Sequence, residues 1–272
     1  MSVRGARVEA FRTLTYAFRQ QVSRAALITW GAVLLLVPVM GFLGTGNTAF
    51  RDGLDVFSSV MTSPAMLVFP LLVLFASGLP LLAETQNRFA YQQAYRSGRG
   101  LFVTSRLLAA GVMSFAFWAL LTFGVFVAAF YLWEPVSGLR FMPEVYNEVV
   151  PAQQRVTYSQ WLVGGELAYG LQYSALVGAA AGLIAVLTAS AILLIPNPFA
   201  ASTIVTALYF VQSITAALAD TPWTSITYAI FPFGLVQVPI AATALPWLSL
   251  LGLSIAAVVF VEVSRASMRS LQ

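Results

Sequence analysis

Residues 84–106 read ETQNRFAYQQAYRSGRGLFVTSR, a polar, arginine-rich stretch wedged between two long apolar runs. Arg88, Arg96, Arg99 and Arg106 lie within it against one acid, Glu84. An excess of lysine and arginine in a short loop marks the cytoplasmic side of a membrane protein, so this stretch sets the topology expected for the whole chain. From Asn87 to Tyr95 the spacing is helical: Tyr91 and Tyr95 fall one turn apart, with Phe89 nearby, until Gly98 and Gly100 break the pattern. Two readings follow. Either a short helix offers aromatic side chains to a cytosolic partner, or the arginines anchor the ends of two membrane helices and the tyrosines sit among headgroups.

Composition supports the membrane reading. Of the 272 residues 59% are hydrophobic and 9% charged, too apolar for an ordinary soluble domain. The net charge of +4 comes from 14 arginines and no lysine, placed mostly in loops rather than along one face, which argues against nucleic acid as a partner. Cysteine and histidine are absent. That excludes disulfides, thiol nucleophiles, the usual zinc ligand sets and histidine-based acid/base catalysis. Without lysine there is no Walker A loop, so any ATP that drives this protein is bound by another chain.

Working outward, residues 1–24 carry Arg4, Arg7, Arg12, Arg19 and Arg24, while Val8, Phe11, Leu14, Phe18 and Val22 recur every three or four positions. The pattern predicts an amphipathic helix lying in the membrane interface, in contact with lipid. A signal peptide would instead place its apolar core directly after a short basic region. Spans are expected at 25–43 and 64–83, the second bent by Pro70 and Pro80, with a short polar loop containing Arg51, Asp52 and Asp55 between them. A third, aromatic-rich span is expected at 107–133. Most of its rings should face lipid or neighbouring helices, a stripe for an apolar substrate is the alternative, and Tyr131 and Trp133 should mark the outer interface.

Residues 134–166 form a longer outer loop with an acidic excess, in which 143–150 and 158–162 read as short helices, either lying on the membrane surface or capping the bundle. The fourth span, 167–195, carries Gly170, Ser174, Gly178 and Gly182 at four-residue intervals, a small-residue face that lets another helix approach closely, from this chain or from a second copy. Pro196-Asn197-Pro198 makes a tight turn into a fifth span at 199–219. Residues 221–241 are apolar and nearly long enough to cross, yet contain Pro222, Pro232, Gly234 and Pro239. If they crossed, a last span at 244–261 would put Arg265 and Arg269 outside, so they read as a broken re-entrant hairpin entering from the outside, whose unpaired backbone needs protein cover. The expected fold is therefore an all-α integral membrane protein of six transmembrane helices. All arginines except Arg51, Arg140 and Arg155 are then cytoplasmic, as are both termini. No internal repeat of the kind common in secondary carriers is evident.

In this arrangement the chain resembles the permease subunit of an ABC-2-type (type V) ABC exporter, over nearly its whole length. Residues 5–23, 84–106 and 221–241 look like that family's interfacial helix, coupling loop and re-entrant hairpin. Glu84, Ser97-Gly98-Arg99 and Ser105-Arg106 sit where the family has an acid, a Ser-Arg turn and a Gly-Lys pair, although the turn's proline is missing and Gly98 splits its Ser-Arg. The resemblance implies a complex in the cytoplasmic membrane of a prokaryote. Two permeases, as a homodimer or heterodimer, would join cytosolic ABC ATPase subunits that bind ATP and Mg, while this chain has no catalytic, cofactor or metal residue of its own. It further implies that Glu84, Arg88, Phe89, Tyr91, Tyr95 and Arg99 couple to the ATPase. The cargo would be an amphipathic or hydrophobic molecule such as a lipid, peptide or drug-like compound. Readings from other classes are an ion- or proton-coupled carrier, for which Glu166, Asp220 and Glu262 fall only near span ends and Gln172, Gln212 and Gln237 are neutral, and a non-transporting sensor or scaffold using the outer loop.

Overall fold

The computed structural model describes residues 3–46, 48–86, 98–146, 150–195, 197–233 and 237–267. Every regular element among them is a helix. An amino-terminal helix, Val3–Gln21, leads into six helical spans long and apolar enough to cross a membrane: Arg24–Leu43, Phe69–Gln86, Gly100–Ser137, Glu166–Leu194, Phe199–Leu218 and Ile240–Ser264.

Spans two to four form the core. The fourth is 61% buried over its most apolar window, against 17% for the fifth. The first, fifth and sixth spans therefore expose most of their Leu, Ile and Val side chains, as helices facing lipid do. The fourth span packs on the third at very short range. A Cβ at Gly178 would fall 2.8 Å from the Phe115 carbonyl oxygen, and one at Gly182 would fall 3.0 Å from that of Gly111. Gly170 lies against the Phe126 ring. Gly111 belongs to the same contact, because its own missing Cβ would meet Val186.

Prolines set the shape of the second span. It starts at Phe69 rather than at 64, because the chain breaks at Val68 and Pro70 takes the first turn of a new helix, where its missing N–H costs nothing. Pro80 cannot bond to the carbonyl four residues earlier, that of Ala76, and the helix widens to a π turn over Leu74–Gly78. The Trp30 indole of the first span donates to this Ala76 oxygen.

Other features also differ from the sequence expectation. The expected polar loop before the second span contains a helix, Gly53–Met61, whose start is capped by Asp52 accepting from the Leu54 and Asp55 N–H groups. Val56, Phe57, Val60 and Met61 of that helix are fully buried, so its apolar face, rather than its few charges, decides its position. The third span is longer than 107–133. At about 1.5 Å per residue, Gly100–Ser137 reaches roughly 57 Å against a hydrocarbon layer of ~30 Å. It takes in residues expected in the loops on both sides and ends only at Gly138, whose φ of 71° an L side chain rarely adopts. Trp133 is also not a headgroup anchor: it is buried between Phe50 and Phe141, and its indole donates to Thr45.

Residues 221–241 form no continuous helix. Among the described residues, a 3-10 turn at Pro222–Thr224 and a short helix at Ile226–Ile230 are followed by irregular chain, and a second 3-10 turn lies at Ile240–Thr243. Neighbouring side chains hold this backbone. The Tyr158 hydroxyl donates to the Ala229 carbonyl at 3.0 Å and the Tyr173 hydroxyl to that of Ile230 at 2.6 Å. Gln212 accepts from Ile226 N–H and donates to the Thr224 carbonyl. Tyr158 occupies the left-handed region at φ 72°, a conformation its buried hydrogen bonds and its stacking on Trp161 hold in place.

Gly178→Leu combined with Gly182→Leu forces the third and fourth spans apart, because the obstructing atoms are carbonyl oxygens that cannot rotate away. The expected loss is at least the ~1–3 kcal/mol typical of an overpacked core, read as a lower Tm and reduced yield of detergent-extracted protein. Unchanged yield and Tm would contradict the packing described.

Candidate functional site

The loop that organises the sequence is flanked by two helices whose facing ends are joined by a buried ion pair. Glu84 lies in the last turns of Leu79–Gln86 and Arg106 in the second turn of the helix that starts at Arg99. The Arg106 guanidinium donates to Glu84 Oε1 at 2.6 Å, with side-chain exposures of 4% and 5%. The guanidinium also lies 5.1 Å from the Tyr16 ring centroid and 5.2 Å from that of Phe102. Gln20 lies beside Glu84. Tyr16 and Gln20 belong to the amino-terminal helix, so one charged pair ties three elements together: the end of the second span, the start of the third and the helix that precedes the first.

Sequence position does not reveal this arrangement. Glu84 was expected among the residues that couple to the ATPase; its side chain is enclosed and paired with Arg106. Arg99 starts the third-span helix. Arg88, Phe89, Tyr91 and Tyr95 lie outside the described residues. Gly170, Ser174, Gly178 and Gly182 line the fourth-span face that meets the third span, away from this pair. The available signal for Arg106 was its place: an arginine at one end of the polar stretch, where it borders an apolar run, matching an acid at the other end.

A second charged cluster lies at the opposite end of the bundle. Arg51 holds Asp55 through two donors, at 2.6 and 3.1 Å. Arg155 reaches from the loop after the third span to both Asp52, at 2.6 and 3.0 Å, and Asp55, at 2.9 Å. Tyr146 covers Arg51 at 4.6 Å and donates to the Ala49 carbonyl. Burial disfavours the charged form of Asp55, but the Arg51 hydrogen bond and the Arg155 charge outweigh it and hold the carboxyl below its ordinary range. The Asp55 hydrogen bond correspondingly raises the pKa of Arg51. The clamp joins this loop to the helix Gly53–Met61. Behind it, Tyr158, Thr157 and Gln237 connect the same loop to the broken segment before the last span, around a cavity of about 10 Å³ lined by Thr157, Trp223, Tyr228, Pro232, Val238 and Thr243. That volume is of the order of one water molecule. Among the described residues no group of three acidic side chains is placed to hold a metal ion.

The two clusters respond differently to perturbation. Removing one member of the enclosed pair leaves the other charge buried and uncompensated, so Arg106→Met should cost about 3–5 kcal/mol, while Glu84→Met with Arg106→Met should recover most of that loss. Thermal unfolding of the single and double variants in detergent measures the difference; a double variant no better than the single would be inconsistent with an isolated pair. At the other end, the folded-state pKa of Asp55 is depressed, so its contribution is complete at neutral pH and falls away as pH drops through and below the ordinary aspartate range near ~4. Asp55→Asn should therefore speed amide exchange in residues 150–165 at pH 7 and make progressively less difference as the medium is acidified. An equal effect at both extremes would show that the clamp does not titrate through Asp55.

The chain matches no family model, no curated protein and no solved structure.

Proposed function

We propose that this chain is the membrane permease of an ATP-driven exporter of the ABC-2 type, working with a separate cytosolic ATPase that supplies the ATP and Mg site. The observation that carries the reading is the Glu84–Arg106 pair, with Tyr16 and Gln20 against it. A force applied to residues 87–98 reaches the second span, the third span and the amino-terminal helix as one unit, because a buried charge pair resists separation more than an exposed one does. That is the mechanical property a coupling loop needs. In this reading Phe89, Tyr91 and Tyr95 insert into a cleft on the ATPase, while Arg88 and Arg99 set register at the rim.

The remaining parts follow the same proposal. The helix Val3–Gln21 lies in the cytoplasmic interface, with exposed Phe11 toward acyl chains and exposed Arg12 and Arg19 reaching to headgroups. Residues 221–241 enter the membrane from outside as a re-entrant hairpin and return. Both termini and residues 87–98 are cytoplasmic, and two permeases pair in the plasma membrane of a prokaryote. The cargo is a neutral amphipathic or hydrophobic molecule, in keeping with third and fourth spans that carry no charge between Arg106 and Glu134 or between Glu166 and residue 195.

One observation favours a second reading. Glu84 is a carboxylate enclosed within a membrane span, the kind of group a proton-coupled carrier uses. Vesicle transport that collapses with a protonophore and ignores ATP would support that reading over the first.

The proposal is tested at the loop. Phe89→Ala, Tyr91→Ala and Tyr95→Ala in one variant leave every span untouched, so membrane insertion and detergent stability should stay near normal. Co-purification of the ATPase should drop and cargo-stimulated hydrolysis should vanish, because buried aromatics carry much of an interface's binding energy. Full ATPase retention with normal export by the well-folded variant would overturn the coupling role of the loop. Loss of insertion with no selective release of a partner would assign these aromatics to the headgroup region.

A further inference from the structure

The amino-terminal helix and the start of the first span carry cations that the chain itself leaves without anions. Between Met1 and Leu43 the sequence has five arginines, Arg4, Arg7, Arg12, Arg19 and Arg24, against one acid, Glu9. Arg12, Arg19 and Arg24 are exposed, and none of the three is ion-paired among the described residues. Arg51, Arg106 and Arg155 show the contrast, since each closes on a carboxylate of the chain. Span length fixes the depth of the group. The first span, Arg24–Leu43, has 20 residues and reaches about 30 Å, the whole hydrocarbon thickness, so Arg24 stands at headgroup level. Helix register fixes the direction. Ala17, 1% exposed, marks the enclosed side of the helix Val3–Gln21, which packs on the third span. At about 100° per residue, Arg12 and Arg19 lie within about 20° of each other and about 140–160° from Ala17, so they face away from the bundle. Phe11, 71% exposed, lies about 80–100° around the helix from both.

We infer that this face binds anionic phospholipid headgroups in preference to zwitterionic ones, with Arg12, Arg19 and Arg24 making the contact. Charge decides between the two lipid classes. A zwitterionic headgroup carries its own cation beside the phosphate, whereas an anionic one offers uncompensated negative charge, and each arginine near such a surface strengthens binding about fivefold. The planar guanidinium fork also matches a phosphate better than a point charge does. An acidic protein would meet the same charge. The exposed Phe11 beside the arginines and the depth of Arg24 select instead a surface that is apolar below and anionic above, which is a bilayer. The inference rests on the interfacial placement of this helix proposed above and not on how transport is energised.

The test uses the full chain reconstituted in vesicles of phosphatidylcholine alone or with about one-third phosphatidylglycerol, and reads amide exchange in residues 8–21. Phosphatidylglycerol should slow that exchange at low salt, by up to about fivefold for each arginine engaged, and about 0.5 M NaCl should erase most of the difference. Arg12→Gln, Arg19→Gln and Arg24→Gln in one variant should abolish it, whereas the matching Arg→Lys variant, which keeps the charge, should retain most of it. Equal exchange in the two vesicles overturns the inference, as does a difference that survives the triple glutamine variant. If that variant gives no protein, the salt response of the wild type and the single Arg19→Gln variant decide: a difference insensitive to both overturns the inference. Phe11→Cys with a fluorescent label, in a chain that has no other cysteine, separates the two readings. Quenching by bromines on the acyl chains, equal in both vesicles, keeps the helix in the interface and refutes its preference for anionic lipid. No quenching in either vesicle refutes the interfacial placement as well.

Discussion

A chain that crosses hydrocarbon must satisfy its backbone polar groups internally, and the distinctive features of this fold are responses to places where its helices cannot do so. Pro80 releases the Ala76 carbonyl, and Trp30 of the first span takes it up. The broken segment before the last span leaves the carbonyls of Ala229 and Ile230 to the hydroxyls of Tyr158 and Tyr173, and the groups around Thr224 and Ile226 to Gln212. Each of these donors comes from a different element. The irregular backbone is thus what knits the first span, the outer loop and the fourth and fifth spans to their neighbours, and a residue such as Tyr158 tolerates positive φ because its hydroxyl is needed where it lies.

Around that constraint the molecule has a dense centre and an open periphery. The third and fourth spans touch at Gly111, Gly178 and Gly182, where only glycine leaves room for carbonyl oxygens to come so near. Dispersion between closely opposed surfaces, rather than any hydrophobic driving force, holds helices together in lipid. The two ends are fastened by charge, in different dielectric settings. Glu84–Arg106 is enclosed, so its attraction is little screened and its rupture is costly. Arg51, Asp52, Asp55 and Arg155 are partly solvated, so salt screens their attraction, and the depressed pKa of Asp55 makes the cluster weaken in acid.

Much of this was legible in the residues. Runs of about twenty apolar positions locate six spans, because a crossing helix needs about that many apolar residues, although the third span extends past both of its expected ends. Pro196-Asn197-Pro198 reads as the tight turn between the fourth and fifth spans, and there the Asn197 side chain accepts from Phe199 and Ala200 N–H to start the fifth. The four prolines and glycines of 221–241 rule out a continuous helix there. Other parts were not legible. The helix Gly53–Met61 is too short to stand out as a span, and its charged first turn masks an apolar face that matters only once Phe57 meets Phe126, Tyr173 and Phe233.

The sequence by itself determined that this chain is a helical membrane protein with six apolar spans, and which stretch is the polar, arginine-rich loop between the second and third of them. Those properties follow from local composition and periodicity. Only the tertiary structure decided that Glu84 is spent on Arg106 rather than offered to solvent, that Trp133 is a buried donor to Thr45, and that Arg155 crosses about a hundred positions to close on Asp52 and Asp55. Pairing of distant residues depends on helix register and on which faces meet, and in a chain whose apolar residues surround every span, hydrophobic pattern does not say which face turns inward.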